Sequence, residues 1–406
     1  MHILLINHYA GTPHLGMEYR PYYMAREWVK LGHKVWIVAA DNSHSRQLPV
    51  VPGAQEIDGI SYLWVATPSY KGNGVKRAYN MWSFCQNLRK LSNWVKTDVQ
   101  PDVIIASSTY PMDIWPCRYL ARQNKARLVW EVHDLWPLSP MELGGMPWWH
   151  PFILLVQYAE DAACRSADFV VSLLPAANRH LVTRGMDLKK FHYIPNGISL
   201  QDWAKPNQLL PEEHRALFAE LRTQGRWILG YAGAHGVANA LHTVIDAFDS
   251  LKNTQAALVL VGKGPEKDQL IQRALKNGGD IHFLPPVPKQ AIPALLDACD
   301  ALYIGSQNKE IYQFGVSPNK TMDYAMAAKP IINGIAAPHD LVAESKCGII
   351  VPPEDSAAVT DAVRFLMSLT AEESRLMGKR GQDYVRAHHN YHILAQNFIN
   401  VVQGDI

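Results

Sequence analysis

The sequence predicts an α/β fold in two domains, each built on a mainly parallel sheet. Apolar segments of strand length recur along the chain, and helix-forming stretches separate them. The alternation stops at a polar, proline-containing stretch near residue 200 and then starts again. A chain of 406 residues is long enough for two such domains with real cores.

The first series opens with a strand at residues 2–7, followed by a loop holding Gly11 and Gly16. A helix is expected over 18–31, stopped by Gly32 as a C-cap glycine. Strands follow at 35–40, 101–106 (PDVIIA), 127–132 (RLVWEV) and 168–171 (DFVV). Residues 193–198 (YIPNGI) read as a strand end and a turn, Asn-Gly suiting positive φ. Residues 200–224, with Pro206 and Pro211, read as a linker plus an excursion. The second series has strands at 227–231, 257–261, 281–284, 301–304, 330–332 and 348–351. Residues 372–403 carry a helical pattern suited to packing across both domains. The domains expected are therefore 1–199 and 200–385, with 386–406 a helix crossing back to the first.

Bulk composition is that of an ordinary globular protein, 48% hydrophobic and 19% charged, with no biased tract. A net charge of +2 argues against a surface that wraps nucleic acid. Five scattered cysteines without a CxxC pair read as reduced thiols in a cytoplasmic protein. The first residues, MHILLINHYAG, lack the basic start of a signal peptide, and 152–156 is too short to span a bilayer. Trp148, Trp149 and 152–156 fit either a surface that docks on a membrane face or a buried core helix.

Several segments have the residue types a ligand site needs. Glycines punctuate strand-to-helix turns at 8–16, at 230–236 (GYAGAHG) and at 261–265 (VGKGP, with Lys263), where backbone amides can cradle a phosphate. None has dinucleotide-fingerprint spacing, so a nicotinamide dehydrogenase is the least supported reading. Glu18 and Arg20 follow the first loop and suit either an acceptor contact or a helix surface. His133 and Asp134 stand directly after a strand, where α/β sheets place ligand contacts; a structural histidine fits equally. In residues 317–332 (SPNKTMDYAMAAKPII), Ser317 is an expected N-cap and Pro318 an expected first helical residue. Lys320 and Asp323 then share a helix face, as a surface pair or as a phosphate and ribose site.

The order and spacing of GHKVWIVAA (32–40), VHDLWP (132–137), IPNGI (194–198), VGKGPEKDQL (261–270) and SPNKTMDYAMAAKPII resemble glycosyltransferase family 4. These are retaining enzymes of the GT-B fold, two Rossmann-like domains facing a central cleft. The SPNK form is most similar to the branch building bacterial O-antigen, capsule and exopolysaccharide units, including N-acetyl-L-fucosamine transferases. The resemblance implies that Lys320 contacts a diphosphate and Asp323 the ribose, beside Ser317, Pro318 and Asn319. Gly233, His235, Gly236, Gly262, Lys263 and Gly264 would frame the donor, with Pro286 and Val287 beside the base. Gly16 would approach the diphosphate from the N-terminal domain. His133 would lie near the transferred sugar, while Glu18, Arg20 and Asp134 would serve the acceptor. Two family features are missing: Gly315 replaces the glutamate eight residues before Asp323, and the basic pair after the first C-terminal strand is absent.

The implied function is transfer of a sugar, with retained configuration, from a nucleotide-diphosphate sugar (UDP favoured) to an acceptor. By resemblance that acceptor is a polyprenyl-diphosphate-linked sugar or an oligosaccharide at the cytoplasmic face of the inner membrane. No cofactor is expected, and no DxD pair or ligand cluster calls for a metal. The same architecture also suits a sugar-nucleotide epimerase or a non-catalytic sugar-nucleotide-binding partner.

Overall fold

The computed structural model describes residues 1–404 except 17, 45, 73 and 205–207. Pro206 of the expected linker lies outside the described residues. The chain divides into two compact units, the first comprising Met1–Asn196, Phe314–Val316 and the described residues from Tyr391 onward. The second comprises Gly197–Gln313 and Ser317–Asn390.

The first unit is built on eight strands: β1 (His2–Ile6), β2 (Lys34–Ala40), β3 (Gly53–Ile57), β4 (Ile60–Val65), β5 (Val103–Ala106), β6 (Arg127–Val132), β7 (Phe169–Ser172) and β8 (Phe191–Tyr193). Their order in the sheet is β3-β4-β2-β1-β5-β6-β7-β8, all parallel except β3 against β4. The β3–β4 hairpin was not expected from the sequence. Its turn, Asp58-Gly59, has both residues at positive φ, and Asp-Gly between two short segments is the signal that marks it. Central strands are buried on both faces because helices cover both sides of the sheet. One of those helices is the C-terminal Tyr391–Gln403: Trp28 Nε1 donates to the Ala395 carbonyl at 3.1 Å, and Tyr23 stacks on Tyr391.

The second unit has six strands: β9 (Trp227–Ala232), β10 (Ala256–Val261), β11 (Ile281–Leu284), β12 (Ala301–Gly305), β13 (Ile331–Gly334) and β14 (Gly348–Ile350). Their order is β11-β10-β9-β12-β13-β14, all parallel. That is a doubly wound sheet whose strand order reverses between β9 and β12, where ligands bind outside the carboxyl ends of the strands. In the first sheet the reversal lies between β1 and β5.

Three expectations need correction. Most of 200–224 is helical (Leu200–Trp203 and Glu212–Thr223), and the second helix buries His214, Phe218 and Leu221. Apolar spacing within a polar stretch is easily read as a loop. The 372–403 pattern is two helices, Ala371–His388 and Tyr391–Gln403, because the chain breaks at 389–390. Pro318 is the N-cap of the helix Asn319–Met326 rather than its first residue, and Ser317 precedes it, since Pro318 holds an extended ψ of 128°.

Candidate active site

In the first unit, polar side chains gather at the carboxyl ends of β1, β5 and β6. β6 ends in Glu131, which is buried inside an otherwise apolar strand, and His133 follows one residue beyond it. His133 Nε2 lies 3.1 Å from Glu131 Oε2, and Nδ1 lies 3.2 Å from Glu18 Oε2. Ser107, just past β5, donates to Glu131 Oε2 at 2.7 Å and sits 3.0 Å from His133 Nε2. Asn7, just past β1, donates to the Ser107 carbonyl at 2.6 Å, and Thr109 donates to Glu18 at 3.1 Å.

Arg20 closes this network from behind. Its side chain is only 3% exposed, donates to Glu131 Oε1 at 3.0 Å and to the Ile194 carbonyl at 3.0 Å, and also reaches the Pro195 carbonyl. The helix-surface reading of Arg20 is therefore wrong. Its guanidinium neutralises a buried carboxylate and ties β6 to the residues after β8, so it does not point at an acceptor.

Burial disfavours the charged ring of His133, but the Glu18 charge and the hydrogen bonds to Glu131 and Glu18 outweigh it and raise its pKa to about 9. Burial likewise opposes the Glu131 carboxylate, and Arg20, with hydrogen bonds from His133 and Ser107, still pulls its pKa down to about 2. Glu18 is held below the ordinary carboxylate range in the same way, with His133 overcoming burial. At neutral pH the site is an imidazolium clamped between two carboxylates. Such a group donates hydrogen bonds and protons; it is a poor base. Asp134 turns back on its own chain, accepting from Ser139 Oγ at 2.6 Å and the Leu135 amide at 2.9 Å. Gly16, at φ 110°, closes the first loop by bridges to Thr12 and Arg46.

The second unit brings together the turns after β9 and β10 and the start of the helix Asn319–Met326. Gly262, at φ 154°, lies so close to the first turn that a Cβ there would sit 1.9 Å from the Gly233 carbonyl oxygen. A Cβ at Gly264 would likewise collide with the His235 backbone, whose amide donates to the Lys263 carbonyl at 2.9 Å. Lys320 reaches over Gly233, donating to Tyr231 Oη at 3.0 Å and Asn239 Oδ1 at 2.7 Å, with its ammonium above the Tyr231 ring. Both partners are neutral, and burial lowers the Lys320 pKa to about 8. His235 is buried with neither ring nitrogen hydrogen-bonded, and burial, aided by Lys267 and Lys320, takes its pKa down to about 4.

Asp323 does not pair with Lys320. It lies 3.7 Å from Lys289, which follows the half-buried Val287 and exposed Pro286 after β11. Gly236 caps the short turn Val237–Asn239, and Lys263 is exposed. Ser317 and Asn319 flank the N-cap Pro318. Gly315 packs in the first unit at φ 100°, and a Cβ there would lie 2.3 Å from Pro175 Cδ. A glutamate at 315 therefore cannot fit the present backbone. Sequence reasoning missed Glu131, Ser107, Tyr231 and Asn239. Only Glu131 carried a signal, as a charge inside an apolar strand pattern. Among the described residues, no group of three or more His, Cys, Asp or Glu side chains could hold a metal.

Residues 15–202 match the family model Glycosyltransferase Family 4, and residues 226–368 match Glycosyl transferases group 1. The chain belongs to the GT-B glycosyltransferases. No curated protein matches this glycosyltransferase. Among solved structures, the Anabaena protein HepE in complex with UDP and glucose is 16% identical, with 99% of each chain covered and a TM-score of 0.69. Sucrose-phosphate synthase from Thermosynechococcus elongatus is 16% identical, covering 99% of this chain and 98% of its own, at a TM-score of 0.74. WaaG, a glycosyltransferase involved in lipopolysaccharide biosynthesis, is 14% identical, covering 99% and 100%, at 0.67. These likenesses establish the fold.

Proposed function

We propose that this glycosyltransferase moves a sugar, with retained configuration, from a UDP-sugar to a polyprenyl-diphosphate-linked sugar in bacterial surface polysaccharide synthesis. The observation that carries the donor half is Lys320: a buried ammonium held by two neutral groups over a glycine turn, with no carboxylate in an ion pair with it among the described residues. An isolated buried cation is costly unless an anion joins it, and a donor diphosphate supplies that anion. UDP is favoured because HepE binds UDP and glucose in its solved complex. As the donor bond breaks, charge grows on the departing diphosphate, where Lys320 and the amides of the two glycine turns stabilise it. The His133 imidazolium donates a hydrogen bond to a hydroxyl of the transferred sugar. The acceptor and its pathway follow from the SPNK-branch resemblance.

A calorimetric screen of nucleotide sugars, followed by mass analysis with a lipid-diphosphate sugar acceptor, tests this reading. Lys320→Ala should weaken donor binding at least about tenfold, the scale of one charge-assisted contact. Because Lys320 is neutral above about pH 8 in the free protein, donor affinity should fall as pH rises past 8, and Lys320→Met should abolish that dependence. Unchanged donor binding and turnover in both variants would remove Lys320 from the site.

A further inference from the structure

We propose that the groove between helices Ile114–Asn124 and Pro151–Ser166 binds anionic lipid phosphates and docks the N-terminal unit on a membrane surface. It encloses about 800 Å³ at the amino ends of β6 and β7, the end of the sheet opposite His133. Four cations line it: Arg118, Arg122, Lys125 and Arg165. The one carboxylate there, Asp168, already accepts from the Leu128 amide at 2.7 Å. Among the described residues, none of the four cations forms an ion pair, and the buried Arg118 Nε has no hydrogen-bond partner. Helix dipoles account for cations in a last turn, but not for Arg118, mid-helix, converging on the same cavity.

The occupant follows from what adjoins the groove. Tyr158, which lines it, is 63% exposed and packs against Trp115. Trp115 also lines a second, smaller cavity with Trp82 and Leu155, both exposed. Trp148 and Trp149, on the turn entering the same helix, are 68% and 61% exposed. That helix buries Ile153 and Val156 and presents Leu154 and Leu155 outward. A soluble phosphate ligand would have no use for this apolar strip; a lipid surface matches both parts, acyl region to the aromatics and phosphates to the cations. No helix among the described residues is long and apolar enough to cross a membrane. The inference is independent of the sugar transferred.

Co-sedimentation with vesicles of phosphatidylglycerol or of phosphatidylcholine alone tests it. The full-length protein should sediment with the anionic vesicles and stay in solution with the zwitterionic ones. Each cation at an anionic surface contributes roughly fivefold in partitioning, so Arg118→Gln/Arg122→Gln/Arg165→Gln should lose on the order of 100-fold. The control Lys34→Gln/Lys96→Gln/Lys189→Gln, all exposed and elsewhere, removes the same charge and should lose much less. If the triple fails to fold by circular dichroism, Arg122→Gln/Arg165→Gln, both exposed, should still lose on the order of 20-fold. Failure to bind anionic vesicles, or equal losses in groove and control variants, overturns the proposal. So does capture of RNA in preference to vesicles.

Discussion

At the residue scale the first unit's site is an electrostatic stack: Arg20 supports Glu131, Glu131 and Glu18 hold His133, and Ser107 joins the two. Its pH behaviour follows from the direction of each shift. The His133 pKa, about 9, exceeds its ordinary 6.5, so the stability it contributes is complete below about 6.5 and lost as pH rises through 9. Glu131, at about 2, contributes stability that is complete above its ordinary 4.5 and lost as pH falls through 2. Urea unfolding should therefore show stability declining between pH 6.5 and 9 by up to about 3 kcal/mol, and His133→Gln should flatten that decline. A decline of equal size in the variant would remove His133 as its source. His133 was legible because polar residues just past a strand mark a site in this architecture. The role of Arg20 was not: nothing local distinguishes a helix-start arginine at the surface from one reaching under the sheet to a residue 111 positions away.

At the element scale the donor site depends on two turns packed backbone to backbone, with no room for a side chain at Gly262. Gly262→Ala must push the first turn away from the second, and at φ 154° a Cβ is strained as well. Thermal unfolding should show a loss of about 3 kcal/mol, with donor binding lost alongside it, whereas Gly236→Ala, which meets nothing within 4 Å, should be close to neutral. A neutral Gly262→Ala would contradict the packing. The turns were readable as glycines between strand and helix, but their mutual contact was not, because it joins residues about thirty positions apart. Element ends moved by a residue or two where capping decided them, as at Pro318. The β3–β4 hairpin escaped notice although its Asp-Gly turn was in plain sight, because β3 is exposed and has little apolar pattern.

At the scale of the molecule, all five cysteines are free and buried, and burial raises their pKa values, Cys347 to about 11. A thiol-titrating reagent should find almost none in the native protein and all five after denaturation. Fast native reaction of even one would show an opening the structure lacks. The alternation of apolar segments and helices was enough to specify two parallel sheets, because strand and helix periods are local properties that twenty residues can express. Motif order was enough to place Lys320, Asp323 and His133 at strand ends and helix starts. Which charge meets which was a matter of folding alone. Lys320 and Asp323 share a helix face yet turn to Asn239 and Lys289, and Gly315 stands where a glutamate would strike Pro175. Partners of a buried charge come from other strands and turns, and no local pattern encodes a contact made across eighty or a hundred residues.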